Sequence, residues 1–405
     1  MEKKHRNMII ILGMLISFAL PIHNVAAEDN SSSKEGKLLT GKEIALKKLE
    51  VPSPAARYMY DSGLNFKYPD AVRGIYVTGP SAGGQRMAGL TKLVESTDLN
   101  AMVIDIKEEN GDITIKPEKG SPYEDMAEDF IDEPKKLLKT LEEKGIYPIA
   151  RVVVFKDSEL AKKRPDLSYT DNGKVWTNSK GEAFVSPFMK EVWEYNVGIA
   201  KMAAELGFQE IQFDYVRFPE GFGNRDHKLS YSQGDYADLE LTDVEKRVKA
   251  VTDFVRYAKD KLKYYGVDVS VDIFGYSATI KEAPNIGQNF SKISSNVDVI
   301  SSMIYPSHWG PYFNIAKPDT EPYKLVSAYA EVENQVISKL DHKPTSRPWI
   351  QDFEAPWLYS GPTKQYGKAE VEAQIRALNE HGINEFLLWN AGNSYTSNVD
   401  YTPMD

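Results

Sequence analysis

The residues best placed to do chemistry lie in the stretch Gly207-Phe208-Gln209-Glu210-Ile211-Gln212-Phe213-Asp214-Tyr215-Val216-Arg217-Phe218-Pro219. A helical segment, Val192 to Leu206, stops at Gly207 and a short strand follows. Side chains alternate along a strand, which sets Ile211, Phe213 and Tyr215 on one face and Gln212, Asp214 and Val216 on the other. Acidic residues are poor strand formers, and a carboxylate inside a sheet is costly unless paired or solvated. Arg217 lies three residues on, and Pro219 ends the strand by removing a backbone donor. An ionisable group at a strand's last turn beside an arginine is either a reaction centre or an Asp–Arg pair that closes the strand.

Other strand ends weigh on that choice. Asp105, Arg151, Asp272, Asp352 and Asn390 fall at or near the C-terminal ends of further expected strands. One such Asp usually means a turn or a helix cap, but several in one frame suit hydrolysis of a glycosidic bond. There one acid protonates the departing oxygen while a second carboxylate attacks the anomeric carbon or activates water. Asp214 and Asp272 make the best pair because they end strands four and five, expected neighbours about 4.8 Å apart. That spacing permits either a retaining or an inverting separation. Arg217 is expected to keep Asp214 ionised, and a drier position to keep Asp272 protonated. Asp352 or Glu354 is the alternative acid. Asp105, Lys107, Arg151 and Arg217 would position the pair and its substrate.

What must hold these residues is an alternation of strands and helices. Strands are expected at Val72–Thr78, Ala101–Lys107, Tyr147–Phe155, Glu210–Val216, Val267–Phe274, Val297–Tyr305, Pro348–Phe353 and Asn384–Asn390. Helices are expected at Gln85–Ser96, Glu133–Lys144, Val192–Leu206, Leu241–Tyr265, Tyr323–Leu340 and Lys368–His381, several running into a glycine C-cap before the next strand. Eight strands so connected fit an α/β (β/α)8 TIM barrel, a single domain over residues 70–395. A doubly wound sheet would want a G-x-G-x-x-G after its first strand, and none is there. Strand parity agrees with a barrel: Val267, Val269, Val271 and Ile273 alternate with Asp268, Ser270 and Asp272. Long connections after strands three, four, six and seven, against short helix-to-strand connections, mark the functional rim. Those loops carry aromatics suited to the C–H faces of sugars, among them Trp176, Tyr305, Trp309, Trp357 and Trp389, a share of them merely packing the loops down. His308 is a candidate ligand donor or a plain surface histidine.

Composition narrows the class. There is no cysteine among 405 residues, which removes thiol chemistry and disulfides. The six histidines show no metal-binding spacing, no G-x-S-x-G elbow is present, and no cofactor is implied. Residues 1–27 read as a secretory signal: Lys3, Lys4 and Arg6, an apolar run from Met8 to Leu20, and cleavage after Ala27. The run is too short for a stable membrane span. Formal charge is −10, and 46 basic against 58 acidic residues would remain after cleavage, which argues against nucleic acid as a partner. The expectation is a secreted or wall-associated protein with a polysaccharide or oligosaccharide partner, a short N-terminal extension over 28–69, and a tail over 396–405.

Four motifs carry a family resemblance: Val103-Ile104-Asp105-Ile106-Lys107, Val185-Ser186-Pro187 leading to Glu194-Tyr195-Asn196, Gln212 to Pro219, and Ser302-Met303-Ile304-Tyr305-Pro306. In these, over residues 70 to 392, the chain resembles the bacterial glycoside hydrolase-like barrels, distant relatives of amylase-type glycosidases. The resemblance implies a barrel acting on polysaccharide. Amylase-type enzymes place an Asp nucleophile at the end of strand four, where Asp214 stands. They end strand five with a Glu acid, where this chain has Asp272. A non-catalytic glycan-binding protein, or a wall-associated scaffold, is the competing expectation.

Overall fold

The structure is a computed structural model that describes residues 59–280, 285–359 and 363–404. The signal and most of the leader expected from the sequence lie outside the described residues. Eight parallel strands form the barrel: β1 (Arg73–Val77), β2 (Ala101–Lys107), β3 (Tyr147–Val153), β4 (Glu210–Asp214), β5 (Asp268–Phe274), β6 (Val299–Met303), β7 (Trp349–Gln351) and β8 (Phe386–Trp389). Each pairs with its neighbours in chain order, and β8 pairs back to β1 through Arg73 opposite Phe386, closing the sheet into a (β/α)8 TIM barrel. Every strand begins and ends within two residues of its expected limits.

The main helices are α1 (Arg86–Glu95), α2 (Pro134–Glu143), α3 (Lys190–Leu206), α4 (Asp243–Leu262), α5 (Phe290–Ser294), α6 (Pro322–Ile337) and α7 (Lys368–Glu380). Gly207 caps α3 at φ 114°, a conformation that side-chain-bearing residues resist, and so turns the chain straight into β4. No helix follows β8 among the described residues. Instead the chain folds back over the barrel, where Val399 and Tyr401 join the outer core. No helix among the described residues is long and apolar enough to cross a membrane.

Two cores result from the strand alternation. Ile75, Val77, Met102, Ile104, Ile211, Phe213, Val269, Val271 and Ile273 face outward and pack beneath the helices. Val72, Tyr76, Ala101, Val103, Tyr147, Ile149, Tyr305, Trp349 and Leu387 fill the lumen. Gly74 completes that layer, since a Cβ there would stand 2.7 Å from the Leu387 side chain.

Three features depart from the sequence reading. Short strands at Ile113–Ile115 and Ala127–Ile131 extend β2 outside the barrel, and a two-stranded hairpin at Thr170–Asp171 and Lys174–Val175 folds the loop after β3. These strands are too short to show a period. Strand β4 ends at Asp214, because Tyr215 takes φ 52°. The alternation expected through Val216 therefore breaks, and Tyr215 turns to the barrel mouth. Finally, the β2–β3 register slips between Asp105 and Lys107, an extra residue that flips Lys107 to the other face.

Candidate active site

Asp105, Arg151, Asp214 and Asp272 come from the consecutive strands β2 to β5 and meet at the barrel's C-terminal end. Arg151, fully buried, donates from Nη1 to Asp105 at 2.7 Å and from Nε and Nη2 to one Asp214 oxygen at 3.0 and 2.6 Å. The other Asp214 oxygen accepts the Tyr215 backbone N–H at 2.6 Å. Asp105 also accepts from the Tyr76 hydroxyl. The guanidinium sits 5.4 Å from the ring centroids of Tyr76 and Trp389, which stack on each other at 4.1 Å. Buried charges persist only when paired, and here a single cation serves Asp105 and Asp214 and, at 3.6 Å, the half-exposed Glu109.

Asp272 has no ion pair among the described residues. It accepts the Trp349 indole N–H at 2.8 Å and is 2% exposed. Burial, and then the neighbouring Asp214 charge, push its pKa well above the ordinary carboxylate range. The pair is therefore asymmetric, with one acid ion-paired to arginine and the other favouring its proton.

Both open on one cavity of about 330 Å³. Trp349, Trp389, Tyr305, Phe274 and Met303 supply its apolar wall, and Arg151, Arg217, Lys180, Glu109, Glu220 and His308 its polar rim. Burial lowers the His308 pKa, so the imidazole favours its neutral form. Burial acts to raise the Glu109 pKa, but the Arg151 and Lys156 charges outweigh it and hold it low. A second cavity of about 320 Å³ adjoins the first and shares Lys180, Tyr215, Arg217 and Glu220 with it. Trp176 lines the second cavity, not the first.

Several expected contributors stand elsewhere. Arg217 does not pair with Asp214. The turn at Tyr215 carries it to the cavity wall, where it bonds Phe218 O at 3.2 Å and Glu220 at 3.1 Å and lies 4.8 Å over both Tyr215 and Phe274. Arg151 fills the role instead. Lys107, flipped by the bulge, is wholly buried against Asp157 at 2.7 Å and Asn196 at 3.0 Å, and cannot meet substrate. Asp352 accepts from the Thr396 N–H and hydroxyl, and Asn390 donates to Asp352 O at 2.6 Å and Ser394 O at 2.8 Å. Both clamp the returning C-terminal segment, and neither lines the cavity. Glu354 is exposed and also outside it. Trp309 packs on Tyr312, Phe313 and Tyr329, while Trp357 stands 66% exposed away from the cavity. Conversely Tyr76 and Trp349, absent from the expected site, reach it from lumen-facing positions that strand parity marks. Glu109, Lys180 and Glu220 sit on loops, where no period signals which way a side chain points.

Over residues 74–395 the sequence matches the model of a family described as "Putative glycosyl hydrolase domain". The chain belongs to this glycosyl hydrolase family. The match runs from β1 past β8 and so takes in the whole barrel and all of the cavity. Among solved structures, the PgaB (BpsB) glycoside hydrolase domain from Bordetella bronchiseptica superposes with a TM-score of 0.54 at 14% identity, over 80% of this chain and 94% of its own. The β-galactosidase from the psychrophilic Marinomonas ef1 gives 0.54 at 14% identity, over 79% of this chain and 54% of its own. A hypothetical protein from Ruminiclostridium thermocellum ATCC 27405 is 32% identical over 49% of this chain and 96% of its own, with a TM-score of 0.42. At 14% identity the first two bear on the barrel fold alone. None of the curated proteins compared matches the sequence. The glycosyl hydrolase is thus an enzyme whose substrate is a carbohydrate.

Proposed function

We propose that this glycosyl hydrolase is exported and cleaves O-glycosidic bonds of an extracellular or cell-wall polysaccharide, with Asp214 and Asp272 as its working pair. The observation that carries the reading is the asymmetry of two carboxyls that share one cavity: Asp214 ion-paired to Arg151, and Asp272 dry and favouring its proton. Environments that push two acids apart in this way assign their tasks. Asp272 gives its proton to the departing glycosidic oxygen as the bond to the anomeric carbon breaks. Asp214 faces the positive charge that develops there, either attacking that carbon or taking a proton from the water that does. Arg151 holds Asp214 in place, and Asp105 anchors Arg151 from the opposite side. Trp389, Trp349 and Tyr305 offer apolar faces to the sugar ring, with His308 at the rim for a hydroxyl. Export rests on the basic, apolar and small-residue order of residues 1–27.

The test is a screen of purified protein against wall and exopolysaccharides, with new reducing ends read by mass spectrometry. Asp214→Asn should lower the rate about 10²–10⁴-fold. Full activity in that variant, on a substrate the wild type cleaves, would remove Asp214 from the mechanism.

A further inference from the structure

The cavity beside the proposed reaction centre has a chemistry that the cleavage step does not use. It is lined by four cationic and two acidic side chains, in a chain whose formal charge is −10. Some of this charge is already matched, since Lys156 pairs with Glu109 and Glu182, and Arg217 with Glu220. Lys180 and Arg225 make no ion pair among the described residues, yet both face the same space. Arg225 lies 5.4 Å over the Trp176 ring, which sets a cation against a flat apolar platform. Lys180 also lines the reaction cavity, so the unmatched charge begins where the two spaces join. A neutral glycan would leave these two cations without a counter-charge.

We propose that this second cavity is a subsite for an anionic sugar, one bearing a carboxylate or a phosphate next to the residue whose bond is cleaved. The anion sits between Lys180 and Arg225, and the ring lies against Trp176. Recognition must be local, because an acidic surface repels a polyanion at long range and cannot steer it in. The inference rests on the hydrolase reading for its placement beside a scissile bond, whereas its binding chemistry does not depend on cleavage.

Binding is therefore measured by calorimetry on the full chain carrying Asp214→Asn, so that turnover does not intrude. The probes are a hexuronate oligosaccharide, its carboxyl-reduced counterpart, and an oligosaccharide of the same neutral sugars carrying a phosphate ester. The acidic probes should bind at least about tenfold more tightly than the reduced one, a difference typical of one charge-assisted contact. Which of the two binds better identifies the anion. Arg225→Ala and Lys180→Ala should each erode that preference, and added salt should erode it in the parent protein. Equal affinity for acidic and reduced probes would overturn the proposal, as would a preference that survives both substitutions together. If acidic probes bind with the expected preference while no glycan is ever cleaved, the subsite stands and the hydrolytic reading falls. If neutral glycans are cleaved and no preference exists, the reverse holds.

Discussion

Replacing Arg151 with Met probes the charge network more sharply than replacing either acid. Arg151 is the cation shared by Asp105, which is 1% exposed, and Asp214, which is 5% exposed. Without it both carboxylates stay buried with no counter-charge, and removing one partner from a buried pair costs about 3–5 kcal/mol. The cost must depend on pH. Burial already raises the Asp105 pKa, and in the variant the Arg151 charge no longer opposes that rise. The native state then holds more protons than the unfolded state, so stability falls as pH rises. The deficit is largest at neutrality and shrinks as pH drops through the ordinary carboxylate range. Unfolding entropy of about 2.1 cal/mol/K per residue gives about 0.7 kcal/mol/K for a barrel of roughly 340 residues, so the deficit appears as about 4–7 °C in Tm. Differential scanning calorimetry of wild type, Arg151→Met and Arg151→Met/Asp105→Asn at pH 7.5 and 4.5 measures it. The double variant carries one uncompensated charge instead of two and should recover part of the loss. An unchanged Tm at pH 7.5, or an equal drop at both pH values, would refute the reasoning.

Asp272→Asn should lower kcat by about 10²–10⁴-fold on a natural glycan and much less on an aryl glycoside, whose leaving group needs no proton. It should also flatten the high-pH limb of the rate profile, because the wild-type acid loses its proton only above the ordinary carboxylate range. Glu108 has its pKa pushed up to about 7 by burial and by the Asp105 charge. The folded state keeps this proton up to about 7 while the unfolded chain releases it near 4.5, so stability falls between those values. Glu108→Gln should therefore raise Tm at pH 8 and leave it unchanged at pH 4. Lys107→Met should cost about 3–5 kcal/mol by stranding Asp157, measured by urea denaturation, and leave KM unmoved.

The barrel was legible because its information is periodic. Apolar and polar residues alternate in β5 just as Ser270 and Asp272 turn to the lumen side while Val269, Val271 and Ile273 pack under the helices. Glycine stops at Gly145, Gly207, Gly266 and Gly382 all take positive φ where strands were due to begin. The site was legible only as far as that alternation held. Asp214 and Asp272 line the mouth as expected, whereas Lys107 does not, since one inserted residue at the β2 bulge reverses parity without any mark in composition. The partner of Asp214 is hidden from the sequence for a related reason. Arg217 is near in sequence, but the left-handed turn at Tyr215 takes it away, and Arg151 reaches in from the neighbouring strand. Asp352 shows the limit from another side, as a strand-end carboxylate committed to Thr396, more than forty residues further along the chain.

A second arginine network makes clear what distinguishes the site. Arg347, fully buried, donates to Glu210 at 2.8 Å, to Glu385 at 2.8 Å and to the Tyr68 hydroxyl at 2.9 Å. Its parts resemble the buried part of the Arg151 network, one guanidinium hydrogen-bonded to two carboxylates with a tyrosine beside them, although Arg151 also faces Glu109 at 3.6 Å. Glu210 and Asp214 even share a strand, as its first and last residues. Residue type and pairing therefore cannot tell a reaction centre from a stopper. What separates the two is access to water and a further acid that no cation among the described residues pairs. The Arg347 network closes the N-terminal end beneath the apolar lumen of Val72, Val103, Ile149 and Leu387, with both Arg347 and Glu210 at 0% exposure. The Arg151 network opens on a cavity large enough for a sugar, with Asp272 on its wall and no cation of its own. Catalysis in a parallel barrel belongs to the end where the strands finish, because there the strand-to-helix loops bring side chains from several strands onto one opening. Position along β4, more than charge, is what makes Asp214 a candidate nucleophile and Glu210 a structural anchor.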